Sequence, residues 1–150
     1  HESSTWFEVT TLLIPGLNDS EAEIDQLSGW FAEHLGPDVP LHFTAFHPDF
    51  RMRDIPATPP ATLRRARDQA RRAGLRHVYT GNGHDVSGQS TYCPGCGQVV
   101  IERDGYQLGA WRIAGGCCAA CGAAIPGRFT DQPGRWGARR LPIAIAPRGE

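Results

Sequence analysis

Apolar positions in the first eighty residues alternate between strand-like and helix-like rhythms. Residues 5–14 (TWFEVTTLLI) are rich in β-branched, aromatic and aliphatic side chains and stop at the breaker pair Pro15-Gly16. The second half of that run is continuously apolar, which predicts a strand buried on both faces. Ser20-x-x-Glu23 then supplies a capping box. Ile24, Leu27, Phe31 and Leu35 follow at helical spacing, and Gly36-Pro37 ends the helix. Residues 41–46 (LHFTAF) alternate apolar with polar and read as a second strand, closed by His47-Pro48.

After a proline-punctuated loop, Thr58 before Pro59-Pro60 marks another helix start. Leu63, Ala66, Ala70 and Ala73 share one face of it, and Gly74 is placed for a C-terminal cap. Arg64, Arg65, Arg67, Arg71 and Arg72 lie mostly off that stripe, so they predict a solvated face. Residues 76–80 read as a short third strand. Strand, helix, strand, helix, strand implies parallel strands joined by right-handed crossovers. Three parallel strands with two helices make a poorly covered sheet, and the apolar run begins almost at His1. The expectation is a chain that starts inside a longer protein.

The character changes after residue 82. Residues 81–90 (GNGHDVSGQS) are small and polar, as in a linker. A cysteine module follows, and residues 131–150 form a tail rich in Pro, Gly and Arg. The expected division is 1–82 for the α/β unit, 83–130 for the cysteine module and 131–150 for an irregular tail.

Composition narrows the class. Fifteen basic and sixteen acidic residues leave a net charge of −1, and every basic side chain is arginine. With 18 Gly and 12 Pro, that usage fits a GC-rich genome better than a nucleic-acid surface. No apolar run reaches the length of a membrane span, and no signal peptide is visible. Five cysteines would leave one thiol over from any disulfide framework, so reduced, metal-binding cysteines in a cytoplasmic protein fit better.

Those cysteines have a strong pattern. Cys93-Pro94-Gly95-Cys96-Gly97 and Cys118-Ala119-Ala120-Cys121-Gly122 are two C-x-x-C-G turns, separated by a segment with a hairpin signal at Asp104-Gly105. Each turn presents two thiolates, and the following Gly lets the backbone turn with positive φ. Together Cys93, Cys96, Cys118 and Cys121 suit the tetrahedral geometry of zinc, in a zinc-ribbon or rubredoxin-like module. Cys117 lacks this spacing and is expected to be a free or packed thiol. The competing readings are two disulfides, four unligated thiols, or iron in place of zinc. A closed four-cysteine site is structural rather than catalytic. Residues 90–130 set only Arg103, Arg112 and Arg128 against Glu102 and Asp104, which is a weak electrostatic case for nucleic acid.

Ligands of parallel α/β proteins bind at the carboxyl ends of strands. Residues 15–19 (PGLND), His47-Pro48-Asp49 and Gly81-Asn82 occupy that edge here. In order along the chain, EVTTLLIPGLND, LHFTAFHPDFRM, VYTGN and TYCPGCG…CCAACGAAIPGRF resemble the C-terminal half of the AmmeMemoRadiSam system radical SAM enzymes, which are similar to pyruvate formate-lyase activating enzymes. The resemblance covers roughly residues 5–130. It implies the last strands of a partial α/β barrel, with the zinc ribbon appended. In that family a Cys-x3-Cys-x2-Cys loop binds a 4Fe-4S cluster that reductively cleaves S-adenosylmethionine to a 5′-deoxyadenosyl radical. This sequence contains no such triplet. What carries over is the adenosine side of the cofactor pocket: Ile14, Pro15 and Gly16 after one strand, and Thr44, Phe46 and His47 at the next. The alternative is a zinc-ribbon adaptor that binds protein or nucleic acid.

Overall fold

The computed structural model describes residues 5–134, so most of the expected tail lies outside the described residues. Its first half is strand β1 (Val9–Leu13), helix α1 (Glu21–His34), β2 (Leu41–Ala45), α2 (Pro60–Arg72) and β3 (Val78–Gly81). The three strands form one parallel sheet in the order β1-β2-β3. Val9 pairs with Leu41, which pairs with Val78, and the β1–β2 ladder ends at Leu13 beside Ala45.

Side chains alternate across a strand, and here the two faces differ sharply. Leu13, Leu41, Phe43 and Val78 join Ile24 and Phe31 of α1 and Leu63, Ala66 and Ala70 of α2 in one buried cluster. Both helices therefore cover the same face. The opposite face carries Thr10, Leu12, His42, Thr44 and Tyr79. Leu12 there is 42% exposed, which corrects the expectation of a strand buried on both sides. Among the described residues, no helix lies over it.

The capping box forms as expected: Glu23 N–H donates to Ser20 Oγ at 3.3 Å, and Ser20 N–H to Glu23 Oε2 at 3.4 Å. Thr58 does something other than cap α2, whose N-cap is Pro59 without a side-chain bond. The arginine face is also less free than the sequence suggests. Arg67 donates from Nε to Val78 O at 3.0 Å and lies over the Tyr92 ring, while Arg65 bonds to Asp19 O. Arg64, Arg71 and Arg72 are exposed.

Residues 81–90 are not a loose linker. They contain a helical turn, α3 (Val86–Gln89), capped by Asp85, whose carboxylate accepts from Gly88 N–H at 3.0 Å. The turn packs between β3 and the second half of the chain. There β4 (Thr91–Tyr92), β5 (Val99–Asp104) and β6 (Gln107–Trp111) form an antiparallel sheet, followed by the paired strands β7 (Ile113–Ala114) and β8 (Cys117–Cys118). Asp104 pairs with Gln107. The hairpin turn is thus Gly105-Tyr106, one residue later than expected, with Gly at the first central position as a type II′ turn requires. Val100, Ile101, Ile113 and Ile125 form a second core around Cys93 and Cys118.

Candidate metal centre and strand-end edge

The two C-x-x-C-G turns fold alike. Gly97 N–H donates to Cys93 O at 2.9 Å, and Gly122 N–H to Cys118 O at 2.8 Å. Both glycines sit at positive φ, 74° and 75°, a region that costs any other residue strain. Each turn buries its first cysteine and exposes its second. The Sγ atoms of Cys93, Cys96, Cys118 and Cys121 all lie within 4.8 Å of one another. Cys93 and Cys121 are 3.5 Å apart, and Cys96 and Cys118 are 3.8 Å apart. Tetrahedral coordination with metal–sulfur bonds near 2.3 Å requires sulfurs about 3.8 Å apart. The cluster fits, and the four thiols could hold a metal ion. All five cysteines are free of disulfides, and Cys117 stands outside the cluster.

The thiols do not ionise alike. Burial opposes the Cys93 thiolate, but the N–H groups of Cys96 and Gly95 and the neighbouring thiols outweigh it and bring Cys93 down to about 7. Ala123 N–H favours the Cys121 thiolate, yet Cys93 and Cys96 beside it push this thiol up to about 12. A second negative sulfur next to the first is unfavourable until a cation shares the space.

At the carboxyl edge of the parallel sheet, Ile14 and Phe46 each lie one residue past the last paired positions, Leu13 and Ala45. Buried Thr58 ties these ends together, accepting from Phe46 N–H at 2.9 Å and donating to Leu13 O at 2.6 Å. Asn18 closes the turn after β1: its Oδ1 accepts from Ile14 N–H at 2.7 Å, and its Nδ2 donates to Leu12 O at 3.0 Å. Gly16 has φ of 75°, and its N–H donates to Asp19 at 2.8 Å. Pro15 is half-buried, Thr44 is half-buried and His47 is exposed. Phe46 is only 8% exposed, so its ring offers little surface to a ligand. Asn82 donates to Ala45 O at 3.2 Å and fastens the third loop to the same edge. The sequence marks these loops by their Pro-Gly, Asn and Asp residues. The bridging role of Thr58 carries no local signal, because its partners are 45 and 12 residues away.

The chain is similar to a longer archaeal protein. An uncharacterized protein of Methanocaldococcus jannaschii is 44% identical over 98 residues, which is 65% of this chain and 29% of the relative. The chain thus spans under a third of the curated relative it matches. No family model matches the sequence, and no solved structure matches it. No described helix is long and apolar enough to cross a membrane.

Proposed function

We propose that this chain is the C-terminal part of a cytoplasmic radical S-adenosylmethionine enzyme, with a structural zinc ribbon appended to the last strands of a partial barrel. The observation that carries the proposal is the arrangement of the parallel sheet. Its strands run in sequential order with both helices on one face, and the opposite face is half-polar, carries no helix among the described residues and meets the cysteine module at Tyr79, beside Thr91 and Arg103. A doubly wound sheet reverses its order and places helices on both faces. A barrel keeps sequential order, with helices outside and the other face toward the lumen. The ordered motifs quoted above supply the family, and the longer archaeal relative is consistent with a larger protein.

In such an enzyme the cluster, held elsewhere in the polypeptide, would supply the electron that cleaves S-adenosylmethionine. The role of this chain is positioning. Thr58 ties the end of β1 to the end of β2 and Asn18 closes the turn after β1, an arrangement that would set Ile14, Pro15 and Gly16 near Thr44, Phe46 and His47. Backbone and apolar contacts there would receive the adenosine moiety. The zinc ribbon has no open coordination position when four cysteines bind one ion. Its contribution is to fold residues around a core too small to stand alone.

The test is a titration of the longer polypeptide with S-adenosylmethionine, comparing wild type with Gly16→Val. A valine at φ of 75° is strained and distorts the turn. Weaker binding with unchanged zinc content is expected. Equal affinity in two folded proteins would remove this edge from the site.

A further inference from the structure

At the opposite, amino-terminal end of the same strands, a cleft of about 230 Å³ runs between the sheet and the cysteine module. Glu8, His42, His77 and Tyr79 line its sheet side, and Arg103 and Phe129 line its module side. The polar groups are organised. His42 Nε2 and Glu8 Oε2 are 2.7 Å apart, and Trp6 Nε1 donates to Glu8 Oε1 at 3.2 Å. Both carboxylate oxygens are therefore engaged within the wall. The His42 hydrogen bond, aided by Trp6 and against the effect of burial, holds the Glu8 carboxyl below its usual value. A carboxylate can only accept, so His42 donates from Nε2 and keeps Nδ1 for another partner.

The His42 ring stacks on Tyr79 with centroids 4.9 Å apart, and the Arg103 guanidinium lies 5.8 Å from the Tyr79 centroid. Arg103 makes its protein bonds through Nη1, to Thr91 Oγ1 at 2.6 Å and Gln89 O at 3.4 Å. Its Nη2 and Nε retain the planar fork that matches a carboxylate or phosphate. Arg128 adds a second cation to the lining. His77 is 3% exposed, and its Nε2 has no hydrogen-bond partner. A buried nitrogen left without a partner calls for a water or a ligand. The Arg103 guanidinium thus lies in a cleft with one carboxylate, Glu8, whose oxygens are already met by His42 and Trp6.

We propose that this cleft binds a small ligand bearing an oxyanion, a carboxylate or a phosphate ester, with Arg103 as its principal cation. The volume falls below the several hundred Å³ of sites for drug-sized molecules, so the ligand is a compact one. Phe129 and Tyr79 provide apolar walls for its carbon skeleton. The site is separate from the strand-end edge, because the two lie at opposite ends of the strands.

The experiment uses the 150-residue chain loaded with metal, in chloride buffer at constant ionic strength. Inorganic phosphate and acetate are titrated separately while NMR follows the imidazole signals of His42 and His77 and the Arg103 Nε signal. Saturable shifts of these signals with at least one anion are expected. Saturation by phosphate alone assigns a phosphate ester, and saturation by acetate alone assigns a carboxylate. Arg103→Gln should weaken binding about tenfold or more, the usual worth of a charge-assisted hydrogen bond. Because Arg103 also holds Thr91, Arg128→Gln is the second variant; it leaves that bond in place and should weaken binding severalfold. Absence of saturation with both anions, or equal affinity in wild type and both variants, would overturn the proposal.

Discussion

The Sγ atoms of Cys93 and Cys121 stand 3.5 Å apart across 28 residues of sequence. Two local turns with the same hydrogen bond and the same positive-φ glycine create this proximity, and a small apolar core holds the turns together. Substituting serine at Cys93 or Cys121 should therefore abolish stoichiometric metal binding, whereas Cys117→Ser should leave one equivalent bound. Metal analysis of the purified proteins decides. Loss of metal from Cys117→Ser would mean that Cys117 replaces Cys118 as a ligand.

Gly122→Ala should weaken the same site without removing a ligand. At φ of 75° an alanine costs roughly 1 kcal/mol or more, and the cost falls on the second turn. The expected outcome is one bound equivalent that a chelator extracts faster than from wild type. Unchanged extraction kinetics would show that the turn tolerates the side chain.

Thr58→Val keeps the shape of the side chain and removes both bonds to the strand ends. Phe46 N–H and Leu13 O then lose their partner in a buried position, which should destabilise the chain by about 1–3 kcal/mol. Urea denaturation of the metal-loaded proteins gives the difference. A change within error would mean that water substitutes for the hydroxyl.

The Glu8–His42 pair sets an acid dependence. The folded-state pKa of Glu8 lies below the usual carboxylate value of 4.5, so its contribution is present above that value. It is lost as pH falls through the folded pKa. Between pH 6 and about 3, wild type should lose more stability than Glu8→Gln, measured by denaturation at each pH. Parallel curves would dissociate the pair from folding.

Much of this was legible because the signals are local. The capping box at Ser20 and Glu23 and the C-x-x-C-G repeats each lie within five residues, and both formed as the sequence implied. What depends on distant partners was not legible. The helix expected after Thr58 does begin at Pro60, but nothing local showed that the Thr58 hydroxyl bridges two strand ends, and Arg67 looked solvated but reaches Val78 O. Residues 81–90 have the composition of a linker, yet the Asp85 cap and the close packing of Gly88 against Thr80 fold them into a helical turn. Glu8 and His42 are 34 residues apart, and only the β1–β2 register brings them together.

The most direct measurement is 5′-deoxyadenosine formation. On the proposed reading, a longer polypeptide with this chain at its C-terminal end is reconstituted anaerobically with iron and sulfide, reduced, and given S-adenosylmethionine. It should produce 5′-deoxyadenosine, while the 150-residue chain treated identically should produce none. Absence of product from a longer polypeptide with an intact 4Fe-4S cluster, or product from the isolated chain, would contradict the assignment.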